Sequence, residues 1–131
     1  MIRKKKKGFT IIELIIVIAI IAILSAITIP KFGDIRESAN EKSDIANAKT
    51  IATVTTSLIA DGEITPEKNK NLTIELNDEG NSDAEKIRNY LQVVPKLSNK
   101  DGDFTISIET NGNVSVSSSV DKKKLFPDET E

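Results

Sequence analysis

The sequence of 131 residues contains no Cys, no His and no Trp, and only one Tyr and four Phe. The lack of Cys excludes a disulfide staple and thiol chemistry. With His also missing, the usual ligand sets for zinc, haem and iron–sulfur clusters are gone, as are Cys–His and Ser–His nucleophile pairs. The length suggests one domain. A net charge of −2 argues against a general nucleic-acid binder.

That average conceals an uneven chain. Residues 3–7 read Arg3-Lys4-Lys5-Lys6-Lys7, a charge of +5, and all 20 acids lie downstream, so the count from Phe9 onward is 13 − 20 = −7. Hydrophobic residues fill 17 of the 21 positions from Phe9 to Ile29 but only 31 of the 102 that follow. Ten of those 21 are Ile, and the one charge among them is Glu13. As a helix the segment would be about 31 Å long, close to the ~30 Å hydrocarbon core of a bilayer. A helix in a soluble core would carry a polar face, and this one has almost none. Basic residues before a span stay in the cytoplasm, which sends the C-terminal part outside. A cleaved secretory peptide is the alternative, but Leu24-Ser25-Ala26-Ile27-Thr28-Ile29-Pro30 lacks the small-x-small pattern such a site needs.

Glu13 sits five residues into the run. A lone carboxylate at the bilayer centre costs roughly 2.5–3.5 kcal/mol on insertion scales, and less near the helix end. Locally, Thr10-x-x-Glu13 has the form of a capping box with its carboxylate near the positive helix N-terminus. The sharper reading is that Glu13 needs a buried cationic partner once helices pack together. Ala19, Ala22, Ser25 and Ala26 form a small-residue stripe on one side of such a helix, which would permit close approach of neighbours.

The basic leader, Gly8-Phe9-Thr10-Ile11-Ile12-Glu13-Leu14 and the uninterrupted apolar run together resemble the N-terminus of a type IV prepilin or a related pseudopilin. The resemblance covers about residues 4–36. It implies that a membrane prepilin peptidase cuts between Gly8 and Phe9 and methylates the new Phe9 amine. It also implies that Glu13 neutralises the Phe9 amine of a neighbouring subunit. A carboxylate and an ammonium buried in low dielectric are costly apart and tolerable together, so the pair would set the register of subunit addition. Gly8, without a Cβ, offers a deformable backbone where a protease must bind extended chain.

Pro30 cannot donate to the Ala26 carbonyl and clashes with it, so a kink or local melting is expected, with Gly33 loosening the same turn. The alternative is that the helix stops at Ile29. Residues 34–60 contain no Pro or Gly, and Ile45, Ala48, Ile51, Ala52, Leu58 and Ile59 make an apolar stripe. Asp61-Gly62 reads as the stop. A helix from Phe9 to Ala60 would span about 78 Å.

Residues 62–131 must cover that stripe. Thr65-Pro66-Glu67 predicts a short turn of helix, and Leu72 to Leu76 alternates like a strand. Ser82-Asp83-Ala84-Glu85 predicts a capping box opening a helix with Ala84, Ile87 and Leu91 on one face, limited by Pro95. Phe104 to Val116 predicts a hairpin about Asn111-Gly112. A three-residue loop, Thr110 to Gly112 with Gly112 left-handed, sets Ile108 opposite Val114 and Ile106 opposite Val116 and gives one clean apolar face. Leu125 and Phe126 dock, and Pro127 to Glu131 forms a loose acidic tail.

Asp78 to Asp83 and Asp101-Gly102-Asp103 are oxygen-rich loops that match no calcium-binding pattern and read as surface turns. Lys122-Lys123-Lys124 reads as a solvated turn, with an anion-binding role as the lesser alternative. No nucleophile–base pair or phosphate loop is visible, and no cofactor or metal is expected.

The predicted fold is therefore α+β, a long kinked N-terminal helix on a small antiparallel sheet. Its parts are a leader over 1–8, an apolar membrane and assembly helix over 9–29, its amphipathic continuation over 30–61, and a head over 62–131. The expected function is a non-enzymatic subunit of a pilus-like filament, anchored in the cytoplasmic membrane with its C-terminus outside before assembly. Its expected partners are like subunits, the prepilin peptidase, an inner-membrane assembly platform and the membrane. The Cys-free C-terminus departs from many Gram-negative pilins and favours a Gram-positive source. A secretion or competence pseudopilin, and a monomeric single-span protein with a binding head, are the alternatives.

Overall fold

The computed structural model describes residues 3–98 and 101–127. Six elements follow in order: α1 (Ile11–Ala60), β1 (Leu72–Glu75), α2 (Ser82–Tyr90), β2 (Phe104–Ile108), β3 (Val114–Ser118) and β4 (Lys124–Phe126). The chain divides into two units, one ending at Glu37 and the other beginning at Ser38. The fold is α+β, as its periodicities predict.

In the first unit, α1 passes through Pro30 and Gly33 without a break in its helical assignment. The expected local melting is not there, and neither is a stop at Ile29. Pro30 removes one donor while the turns on both sides keep theirs, and Thr28 Oγ1 donates to the Leu24 carbonyl at 2.8 Å just ahead of it.

The second unit is built on the C-terminal half of α1. Ala48, Ile51, Ala52 and Leu58 are buried, with Ile45 and Ile59 half-covered beside them. Thr55 is also buried, a position outside the expected stripe; its Oγ1 donates to the Ile51 carbonyl at 2.8 Å, so the hydroxyl enters the core already partnered. The helix ends as Asp61-Gly62 predicts. Gly62 has φ +77°, Gly62 N–H donates to Ile59 O at 3.1 Å and Glu63 N–H to Leu58 O at 2.9 Å, a Schellman closure.

The four strands form one antiparallel sheet in the order β1-β2-β3-β4. Phe104, Ile106 and Ile108 of β2 are buried on one face, with Ile74 and Val116 beside them. The hairpin register is the one its apolar alternation requires: Ile108 faces Val114 and Ile106 faces Val116. Glu109 N–H donates to Asn113 O at 2.9 Å around the three-residue loop, and Gly112 takes φ +89°. The other face carries Thr73, Thr105, Ser107, Ser115 and Ser117, so the side chains divide by strand parity, with Ser118, opposite Phe104, buried on the apolar face.

Two expectations need correction, and a third, the docking of Leu125 and Phe126 on the core, holds and is extended. Residues 65–67 form no helix; the polar stretch from Glu67 to Asn71 offers no apolar side chain to offset the cost of a helical nucleus. The cap of α2 is Asn81 rather than Ser82, its Oδ1 accepting from Asp83 N–H at 2.9 Å and Ala84 N–H at 3.2 Å. Leu125 and Phe126 do more than dock, because they lie in a fourth strand. Of the acidic tail, residues 128–131 fall outside the described residues.

The oxygen-rich segment at Asp101 to Asp103 has a structural explanation. Gly102 lies so close under the β3–β4 turn that a Cβ there would stand 2.2 Å from Val120 Cγ2. Asp103 N–H donates to Ser119 Oγ at 2.8 Å, and Asn77 Nδ2 donates to Asp103 Oδ1. Two polar contacts tie loops of the head to α1: Asp44 Oδ1 accepts from both the N–H and the Oγ of Ser98 at 2.9 Å, and Lys123 pairs with Glu41.

Candidate assembly and processing segment

Residues 3–10 have no regular secondary structure and are exposed throughout. Arg3, Lys4, Lys5, Lys6 and Lys7 therefore stand in solvent beside Gly8, around which no other atom lies within 4 Å of a Cβ position. Phe9 is 94 % exposed. An unstructured, uncrowded backbone at Gly8–Phe9 is the geometry a protease requires, because peptide cleavage needs extended chain and access from several sides. The structure places the two residues adjacent to the start of α1 without burying either.

The helix begins two residues later, and its start is closed by the expected pair. Thr10 N–H donates to Glu13 Oε2 at 2.9 Å, and Glu13 N–H donates to Thr10 Oγ1 at 3.3 Å. These contacts satisfy two of the donors that every helix leaves unpaired at its N-terminus. The carboxylate is thereby held within one residue of the Phe9–Thr10 bond. An amine created at Phe9 would adjoin a carboxylate already aimed at the same turn.

The next three turns and beyond are apolar on every side. Each large apolar side chain from Ile11 to Ile29 keeps between 50 % and 80 % of its surface exposed. None of the most apolar stretch of α1 is covered by the rest of the chain. Burying one such side chain contributes roughly 1.5–3 kcal/mol, so this surface is stable only in lipid or against other apolar surface. Ser25, on the small-residue stripe, is already partly shielded by its larger helix neighbours. Phe32 and Ile35 extend the exposed apolar surface past Pro30, two positions that the sequence reading passed over.

Comparison with known proteins agrees with this arrangement. A family profile described as the prokaryotic N-terminal methylation motif matches residues 3–29. The prepilin peptidase-dependent protein A of Clostridium perfringens is 32 % identical over 125 residues, which covers 88 % of this chain and 86 % of that protein. The type IV narrow pilus major component of Thermus thermophilus is 49 % identical over 47 residues, 36 % of this chain and 40 % of its own. A fimbrial protein of Pseudomonas aeruginosa is 40 % identical over 60 residues, 46 % of this chain and 39 % of its own. The matches to these two therefore span only about two fifths of either protein. No solved structure matches the chain.

Proposed function

The chain belongs to the type IV pilin family of prepilin-like proteins, and from that premise we propose that it is the structural subunit of a pilus-like surface filament. It is made as a precursor anchored by residues 9–29, with residues 30–61 and the head over 62–131 outside the membrane. A prepilin peptidase removes residues 1–8 by cutting between Gly8 and Phe9, and the Phe9 amine is methylated. The basic residues Arg3 to Lys7 hold the leader on the cytoplasmic side. An assembly platform in the membrane then transfers the subunit from lipid into a helical fibre of like copies. Its role is structural rather than catalytic.

The observation that carries this reading is the exposed apolar half of α1 with a single carboxylate fixed at its start. Exchange of lipid for neighbouring helices keeps that surface buried throughout. Within the bundle Glu13 pairs with the Phe9 amine of the adjoining subunit, so a misplaced subunit leaves a buried charge uncompensated, which costs several kcal/mol. Pro30 and Gly33 are where the helix adapts its direction to its neighbours. A surface pilus is favoured over a secretion or competence pseudopilin because two of the relatives bear the names of a pilus major component and a fimbrial protein. The Cys-free head is the ground for placing the protein in a Gram-positive envelope.

N-terminal sequencing and intact mass of the protein in sheared surface material test the proposal. A chain beginning at methylated Phe9 is the expected result. Retention of Met1, or cleavage near Ala26, overturns it.

A further inference from the structure

The sheet of the head has two edges, and they carry opposite charge. Its outer rows run across all four strands, and one of them reads Glu75, Thr105, Ser117, Lys124. On the β1 edge, Glu75 is followed by Asp78 and Glu79, and all three are exposed. Asp78 is partly engaged, its Oδ1 accepting from Gly80 N–H. Arg88, the nearby cation, is directed at backbone: its Nη1 donates to the carbonyls of Leu76 at 2.6 Å and Asp78 at 3.1 Å. Lys68 and Lys70 precede the opposite end of β1, so the acidic character belongs to the end marked by Glu75.

On the β4 edge, Lys122, Lys123 and Lys124 are exposed. Lys123 is turned back to Glu41. Lys122, at φ +53°, and Lys124 make no ion pair within the chain among the described residues.

We propose that these edges form a head-to-tail contact between copies of this chain, Lys122 and Lys124 of one head facing Glu75 and Glu79 of the next. The inference rests on the filament reading above. The two edges of one head are three strand spacings apart, about 14 Å at ~4.8 Å each, so a contact between them needs a second copy. Such a contact is heterologous, the type that propagates into an open helical array rather than closing as a dimer. Charges on sheet edges ordinarily prevent edge-to-edge association. Opposite signs on the two edges keep that protection for like edges and lift it for the unlike pair, which gives the heads a fixed polarity. β1 and β4 also run antiparallel in the sheet, so the acidic end of one edge and the basic end of the other coincide when two heads stand side by side.

Charge reversal in the full-length chain tests the contact, read as the amount of filament sheared from cells relative to the membrane-held pool. Lys122→Glu with Lys124→Glu, or Glu75→Lys with Glu79→Lys, each sets like charges face to face and should lower filament yield about tenfold, while all four together should return it to within about twofold of wild type. Reversals without loss, or a fourfold variant no better than either pair, overturn the contact. A second test uses the absence of Cys. In filaments of Lys124→Cys with Glu79→Cys, oxidation should give a ladder of covalent multimers, because the intrachain separation exceeds disulfide reach. Filaments of that variant that remain monomeric on oxidation overturn the contact. Wild-type filaments beginning at Phe9 alongside unaffected reversals count against the contact alone, whereas wild-type material without filaments removes the filament reading and the contact together.

Discussion

Thr10 and Glu13 hold each other by two hydrogen bonds of opposite direction, Thr10 N–H to Glu13 Oε2 at 2.9 Å and Glu13 N–H to Thr10 Oγ1 at 3.3 Å. A carboxylate in an otherwise apolar run is thus kept at the rim of the helix, where partial positive charge favours it. The same placement leaves it one residue from Phe9, whose amine the proposed cleavage after Gly8 would release.

Replacing Glu13 by Ala should therefore separate two steps. Processing at Gly8–Phe9 should proceed, because the cleaved backbone lies outside the helix. Filaments should disappear from sheared surface material, since each Phe9 ammonium would enter the bundle without a counter-charge. Thr10→Ala removes one arm of the cap and should cost about 1 kcal/mol of helix-start stability, with assembly reduced rather than lost. Electron microscopy together with N-terminal sequencing reads both; normal fibres from Glu13→Ala would falsify the pairing role.

The two halves of α1 should respond oppositely to the same truncation. Ile51 is fully buried in the head, and Ile51→Ala should destabilise the full chain in detergent by about 2–5 kcal/mol. Ile18 is 57 % exposed, and Ile18→Ala should leave urea unfolding of the head unchanged within about 0.5 kcal/mol while lowering filament yield. Circular dichroism is the suitable probe, because the sequence has no Trp. Equal effects at both positions would contradict the division of labour.

Gly102 should tolerate no side chain unless Val120 shrinks. Gly102→Ala puts a methyl 2.2 Å from Val120 Cγ2 and should cost about 1–3 kcal/mol. Val120 is more than half exposed, so Val120→Ala alone should cost little, and the double variant should recover most of the loss. Additive losses in the cycle would show that the contact is not the cause.

Deleting Arg3 to Lys7 should disturb orientation in the membrane. The charge of +5 is removed while the apolar run is untouched, so insertion persists but its direction loses its main determinant. Protease added outside spheroplasts should then fail to reach the head in a fraction of molecules; full accessibility at wild-type level argues against the leader as the orienting element.

The parts legible in the sequence are those in which local and global signals coincide. Ile106 and Ile108 alternate with hydroxyl residues up to an Asn-Gly turn, and one register alone places Val114 and Val116 on the same face, so the hairpin pairing follows. The stripe from Ala48 to Leu58 and the stop at Gly62 are likewise periodic and local. What was missed depends on distant chain. β4 has three residues, too few for alternation to register, and exists because β3 offers an open edge. Thr55 looks polar in sequence and is buried because its hydroxyl finds the Ile51 carbonyl one turn back. The need for Gly at 102 arises from Val120, 18 positions later, and the acidic and basic segments come to lie on opposite edges of one sheet only through strand order. At the N-terminus the Thr10–Glu13 cap was readable, since both of its hydrogen bonds join residues three positions apart.

The helix that anchors the subunit also supplies Ala48, Ile51, Ala52, Thr55 and Leu58 to the interior of the head. A water-soluble version must consequently be trimmed near Ser38 and no further: starting the gene fragment at Gly62, where secondary structure alone would suggest a natural break, would leave the sheet with an open greasy underside and yield inclusion bodies. For the same reason a head transplanted from a relative has to bring its own second half-helix with it, or it will sit on a floor shaped for someone else's furniture.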